Sequence, residues 1–231
     1  PSNAAILFSA LTNVPVSKTF AAGVFPGLIL LVFMILLVLF KCRHIRTSGP
    51  ASYKERAKSF IFALPALITP VIILGGIYAG IFTPTEAASV AVVYALIIGG
   101  LVYRELKWIN IVDCLKITAM ISGAVLIIVG PAKAYGELVS LMSVPDMLGE
   151  ALMGVTESPF LILMIMAVIL IISGMFLESI AQIILLTPLM LPIVVGLDVD
   201  PIVFGILMVI SCEIGFLTPP VGVNLFVAAR F

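Results

Sequence analysis

The chain has 231 residues, of which 62% are hydrophobic and only 10% charged. A soluble domain carries roughly a quarter charged residues, so the composition is that of an integral membrane protein. Net charge is zero, which offers no basic surface to nucleic acid, and the three scattered cysteines (Cys42, Cys114, Cys212) show no metal-ligand spacing and no disulfide framework.

In chain order, Pro1-Ser-Asn-Ala-Ala-Ile-Leu-Phe8 opens the sequence, and its meaning emerges only at the far end. Val14-Pro-Val-Ser-Lys-Thr19 reads as a turn with Ser17 as N-cap. Residues 20–40 are uninterrupted by charge and long enough for one membrane span. A basic loop follows (Lys41, Arg43, His44, Arg46, Lys54, Arg56, Lys58), which the positive-inside rule places in the cytoplasm. His44 sits among these charges as a solvated loop residue. Residues 59–82 form a second apolar run, bent by Pro65 and Pro70. It ends in Gly-Gly-Ile-Tyr-Ala-Gly-Ile-Phe-Thr-Pro-Thr-Glu-Ala-Ala (75–88), where Thr83 suits an N-cap, Pro84 a first helical position and Glu86 a first turn. Capping accounts for Glu86 without a functional carboxylate.

Residues 87–103 read as a third span, returning the chain to the cytoplasm at Arg104, Lys107 and Lys116. The mixed charges and apolar residues of 104–116, with Trp108 as interfacial anchor, suit an amphipathic helix lying along the surface. Residues 117–142 are apolar apart from Lys133 and Glu137, four apart on one helix face, with Pro131 as a kink. The favoured reading is a paired, snorkelling lysine; the alternative is a cation facing a substrate carboxylate. Residues 143–157 are an acidic connector, and no Lys or Arg occurs between Lys133 and Arg230, which suits an external or membrane-buried location.

Residues 158–197 are two apolar arms separated by Glu178, with Ser173-Gly-Met-Phe-Leu-Glu-Ser179 between them. Two arms without a polar loop predict a helical hairpin, re-entrant if its tip lies inside the membrane. A lone acid among some forty apolar residues points to function; a surface turn is the plain alternative. Asp198-Val-Asp-Pro201 then starts the last helix. That helix runs into Ser211-Cys-Glu-Ile-Gly-Phe-Leu-Thr-Pro-Pro-Val-Gly-Val-Asn-Leu-Phe226, an apolar run interrupted by Pro219, Pro220 and Gly222. The prolines withhold two backbone donors, and glycine lets the chain bend against a small ligand. In lipid such a break is tolerated only when buried or lining a cavity. The opening octapeptide aligns on residues 219–226 without gaps, with Pro, Leu and Phe matching, and paired interrupted helices point to a transporter's binding site.

These segments resemble the large membrane subunit of the tripartite ATP-independent periplasmic (TRAP) transporters along nearly the whole chain. The residues that carry the likeness are 75–88, Ala22-Gly-Val-Phe-Pro-Gly27, Gly-Met-Phe-Leu-Glu-Ser (174–179), Asp200-Pro-Ile-Val-Phe-Gly205 and 214–226. The opening Pro-Ser resembles the tail of the motif closing that family's first inverted repeat. Both ends then look cut, as in a fragment of a longer permease. The resemblance implies an all-α integral membrane protein with an inverted-repeat ion-transporter-type fold, a re-entrant hairpin at 158–197 and a broken helix at 199–231. Residues 1–15 and 117–231 would form the transport part, and 16–116 the scaffold-like helices.

It also implies a secondary transporter of small organic anions such as C4-dicarboxylates or sugar acids, in the bacterial inner membrane. Import would be Na+ symport by an elevator mechanism, with a periplasmic substrate-binding protein and a small membrane subunit, no cofactor, and Na+ as coupling ion. Sodium suits carbonyl and hydroxyl oxygens. The expected ion-binding positions are Ser2 and Asn3 at the first break and Gly215, Thr218, Val221 and Gly222 at the second. The expected substrate-binding positions are Ser173, Gly174, Glu178, Ser179, Pro220 and Asn224. The sequence departs from the family where Asp is frequent at Glu178, where an amide or small residue is usual near Glu213, and at Lys133. A proton-coupled carrier using Glu178 or Glu213 is the alternative. An intramembrane enzyme is disfavoured, since the single histidine lies in a loop and neither His-Glu-x-x-His nor Gly-x-Ser-x-Gly occurs.

Overall fold

The computed structural model describes residues 2–44, 49 and 51–228; expectations for Pro1, Arg46 and Arg230 lie outside the described residues. Every regular element among them is helical: α1 (Asn3–Thr12), α2 (Val16–Lys41), α3 (Tyr53–Tyr78), α4 (Pro84–Ile97, prolonged by a π-helical turn Ile98–Val102), α5 (Trp108–Leu141), α6 (Val144–Met153), α7 (Pro159–Gly174), α8 (Ser179–Gly196), α9 (Pro201–Phe216) and α10 (Val223–Ala228). This all-α architecture follows from composition, because in hydrocarbon a helix satisfies its own backbone. Five helices are long and apolar enough to cross a membrane: α2, α3, α4 with its π turn, α5 and α8.

The chain divides into two compact units, Pro1–Gly23 with Ser122–Phe231, and Val24–Ile121. Helices α2 and α5 each begin in one unit and end in the other.

In the unit Val24–Ile121, α3 pairs with α4. Tyr94 donates to the Pro65 carbonyl at 2.9 Å and Tyr103 to the Phe62 carbonyl at 2.8 Å. The 75–88 motif is a helix-to-helix corner. Gly80 takes φ +70° to end α3, and Gly76 leaves room for the Phe82 ring, since a Cβ there would lie 2.3 Å from Phe82 Cδ2. Thr83 and Glu86 form the expected reciprocal cap: Glu86 N donates to Thr83 Oγ1 at 3.3 Å and Thr83 N to Glu86 Oε2 at 2.8 Å. Glu86 is thereby a capping residue.

Three local expectations change. α2 begins at Val16, so Ser17 is inside the helix rather than capping it. Lys54, Arg56 and Lys58 lie in the first turns of α3, because Ser52 and Glu55 build a second capping box ahead of them. The 104–116 stretch is not a helix of its own. From Trp108 it continues without interruption into a helix of 34 residues, since no glycine or proline intervenes before Gly123 to end it.

In the other unit, α7 presents Ile162, Met166 and Leu170 at i, i+4 spacing, and α9 answers with Phe204, Met208 and Cys212; all six are fully buried. Rows spaced by four interdigitate when helices pack ridge into groove. Phe8 of α1 meets Phe204 edge-on, with centroids 6.2 Å apart, and lies over Gly205, where a Cβ would be 2.3 Å from Phe8 Cε1. Ser9 and Thr19, both buried, share a 2.9 Å hydrogen bond linking α1 to the start of α2. Ile183 and Val194 of α8 complete this core.

The charge asymmetry makes a topological prediction. Cys42, exposed just after α2, should react with an impermeant thiol reagent only from the cytoplasmic side. A cysteine at Ser143, in a background without native cysteines, should react only from outside. Labelling of Cys42 in intact cells by a reagent confined outside would reverse the orientation.

Candidate functional site

α7 stops at Gly174 and α8 starts at Ser179, so Met175–Glu178 is the whole tip of the hairpin. The turn closes with Met175 N on the Ile171 carbonyl (3.1 Å) and Leu177 N on the Ser173 carbonyl (2.9 Å). Glu178 is the N-cap of α8: its Oε2 accepts from Ile180 N at 2.9 Å and Ala181 N at 3.3 Å. Its carboxylate thus satisfies two of the four N–H groups that a helix start leaves open.

The break after α9 has its own hydrogen-bond economy. Asp200 caps the entry, its Oδ1 accepting from Ile202 N at 2.8 Å, with Pro201 in the first turn as expected. At the exit, the Gly215 carbonyl does not stay open as the prolines suggested, because Thr218 N donates to it at 2.9 Å. No N–H among the described residues donates to the carbonyls of Phe216, Leu217 or Val221, so open oxygens remain one step further along. Thr218 Oγ1 gives its proton to the Ile214 carbonyl at 2.7 Å, which leaves only lone pairs to offer a ligand. Gly222 takes φ +54°, a left-handed turn into α10 that glycine enters at little cost.

Tip and break meet. A Cβ on Gly215 would fall 2.7 Å from both Cα and C of Gly174 and 2.8 Å from the Ile171 carbonyl oxygen. Backbone touches backbone here because both partners are glycine. Beside this contact lies a pocket of about 220 Å³ lined by Gly174, Met175, Phe176, Leu177, Glu178, Phe216, Val221 and Gly222.

Of the positions singled out from sequence, Gly174, Glu178, Val221 and Gly222 line this pocket, and Gly215 forms the crossing next to it. Thr218 and Asn224 are half-buried and Pro220 exposed; none is in the lining. Ser173 and Ser179 belong to the hairpin interior: Ser179 is buried, and Ser173 Oγ donates to the Leu170 carbonyl at 3.0 Å. At the chain start, Ser2 caps α1, accepting from Ala5 N at 3.1 Å, and Asn3 is exposed; neither joins the pocket. Glu213 is exposed on α9. Lys133 and Glu137 are exposed on α5 and do not pair, contrary to the favoured sequence reading; among the described residues the one ion pair is Lys116–Asp113 at 3.3 Å.

A larger cleft of about 340 Å³ lies between α6 and the end of α8, with the exposed carboxylates of Asp146 and Glu150 on its rim. It holds none of the predicted residues and no convergent donors. The residue that sequence reading missed is Gln182, wholly buried behind the tip. Its signal was available: an amide placed one turn into an otherwise aliphatic arm.

Long apolar helices, a hairpin and a broken helix meeting backbone to backbone make this an all-α integral membrane protein. All 231 residues match the profile of the tripartite ATP-independent periplasmic transporter, DctM component. The chain belongs to that family, and so to the bacterial inner membrane.

The chain is 40% identical to an isethionate TRAP transporter permease protein of Oleidesulfovibrio alaskensis, over 99% of this chain and 36% of the relative. It is 34% identical to a sialic acid TRAP transporter large permease protein of Vibrio cholerae, over 100% and 54%. It is 35% identical to a C4-dicarboxylate TRAP transporter large permease protein of Pseudomonas aeruginosa, over 99% and 54%. The chain therefore spans about half or less of the length of these curated relatives.

Proposed function

We propose that this chain is the part of a secondary transporter subunit that closes over ion and substrate, importing a small organic anion by Na+ symport in an elevator cycle. A periplasmic binding protein would deliver the substrate, and a small membrane subunit would brace the scaffold. The observation that carries the reading is the Gly174–Gly215 contact, which brings the hairpin tip onto a helix break with open carbonyls. The first arm, α7, has 16 residues and measures about 24 Å, less than the ~30 Å hydrocarbon core, which favours a tip that stays within the membrane. Substrate class is argued from the relatives, whose names include the anions sialic acid, isethionate and C4-dicarboxylate and the zwitterion ectoine; each carries a carboxylate or sulfonate group.

Sodium is favoured over protons by the oxygens on offer. Thr218 presents lone pairs and no proton, Val221 an open carbonyl, and Gly215 keeps the backbone close. Glu178 is occupied as a helix cap, its carboxylate held by two backbone N–H groups, which leaves it a poor proton carrier. The deciding experiment reconstitutes the whole transporter with its binding protein and compares uptake under a Na+ gradient with uptake under a proton gradient. Thr218→Val is expected to weaken apparent Na+ affinity about tenfold, or ~1.4 kcal/mol, with little change in expression. Uptake at full rate without Na+ would end the sodium reading. Loss of uptake in Glu213→Gln with Na+ irrelevant would install the proton reading.

A further inference from the structure

Gln182 is fully buried one turn into α8. Its Nε2 donates to the Leu170 carbonyl and, at 2.8 Å, to Ser173 Oγ. Both partners are on α7, so one amide ties the two arms together behind the tip. Its orientation is fixed by chemistry, because a carbonyl oxygen only accepts and the NH2 must face Leu170. Oε1 is turned the opposite way and has no hydrogen-bond partner. It faces the crossing of α7 and α9: a Cβ on Gly174 would lie 3.0 Å from Oε1, 3.2 Å from Gly215 Cα and 3.3 Å from the Cys212 carbonyl oxygen. An apolar side chain would fill this place without leaving a buried acceptor unsatisfied. Packing alone therefore gives no reason for an amide here, whereas the two donations across the hairpin do.

We propose that Gln182 is a positioning residue of the transport site: it holds the two arms in the register at which Gly174 meets Gly215. It thereby sets how closely the tip closes over the helix break. This deepens the reading above and rests on it for the identity of the ion. Ser173 takes a defined place in the same device. Its proton goes to Leu170 and one lone pair to Gln182, so it fixes the end of α7 rather than contacting a solute.

The test uses the intact transporter that carries this chain, with Na+ alone as probe and K+ as control. Wild type is expected to show a Na+-specific rise in unfolding temperature. Gln182→Met keeps the length of the side chain and removes the amide. It should need roughly tenfold more Na+ for half of that rise, while its unfolding temperature in K+ stays near wild type. A purely structural role would lower the temperature in both salts and leave the Na+ midpoint in place. Gln182→Glu can keep at most one of the two donations and should fall between wild type and Gln182→Met.

Native Cys212, buried beside the crossing, supplies a second readout in a Cys42→Ser, Cys114→Ser background. Its reaction with a small thiol reagent should be several-fold faster in Gln182→Met. A Na+ midpoint and a Cys212 rate both at wild-type values would overturn the proposal. So would failure of both Gln182 variants to assemble, which would assign the residue to folding alone. A wild-type protein without any Na+-specific rise would remove the sodium reading, and the Cys212 rate would then decide the role of Gln182 by itself.

Discussion

Gly215→Ala is expected to abolish uptake while the protein still reaches the membrane. The added methyl would sit 2.7 Å from the Gly174 backbone and 2.8 Å from the Ile171 carbonyl oxygen, well inside van der Waals contact. None of these atoms belongs to a side chain that could rotate away, so α7 and α9 must separate. Overpacking of this kind costs ~1–3 kcal/mol. The functional loss should exceed that figure, because separation moves the tip off the break and unmakes the pocket between them. Gly174→Ala should be milder, since its nearest obstacle is the Gln182 amide at 3.0 Å. Gly75→Ala is the control, with nothing within 4 Å of the new methyl. Uptake per unit of membrane protein, measured for the three variants, checks the order. Equal effects at Gly75 and Gly215 would show that the glycine contact has no part in transport.

Gly222→Val should lose at least a tenfold share of uptake for a different reason. Space is only moderately short there, with Leu225 Cδ1 3.3 Å from the new Cβ. The backbone is the obstacle: φ is +54°, and a β-branched residue is an outlier in that region. The strain is on the order of 1–3 kcal/mol, and its relief would swing the segment between Thr218 and α10. Because Val221 and Gly222 line the pocket, its wall and the Val221 carbonyl move with it. Gly222→Asn, which tolerates left-handed backbone better, should recover part of the activity. No recovery in Gly222→Asn, with Gly222→Ala as active as wild type, would place the requirement elsewhere.

The hairpin and the second break were legible because they are interruptions. In a sequence this apolar, one acid between two arms or two prolines and a glycine within a run stand out against their surroundings. The caps at Thr83 and Asp200 were legible because capping is local chemistry, needing a side chain and an N–H two or three residues away. The same logic, applied to Glu178, reads its carboxylate as the cap of α8. The lone acid drew attention to its charge and away from its position just ahead of Ser179. Long-range consequences were not legible. Nothing local says that Gly174 and Gly215, far apart in sequence and in different helices, lie back to back, or that Phe8 rests on Gly205. Trp108–Leu141 was divided at Lys116 because its charges suggest an interface, yet no residue there breaks a helix. Gln182 stands out in the sequence as an amide in an aliphatic arm, but what it does depends on Leu170 and Ser173, which only the fold brings to it.

The discontinuity of the unit that holds the site bears on how the protein is made. Ala4, Ala5 and Phe8 bury the inner face of α1 against α8 and α9, which leave the ribosome nearly two hundred residues later. At a synthesis rate of ~5–20 residues per second, α1 waits roughly 10–40 s for its neighbours. All of Val24–Ile121 is translated and inserted during that interval. α1 must therefore be sheltered meanwhile, by lipid or by the insertion machinery, with its final face uncovered. A codon change that slows translation between residues 24 and 121 lengthens that exposure without altering any contact in the finished protein.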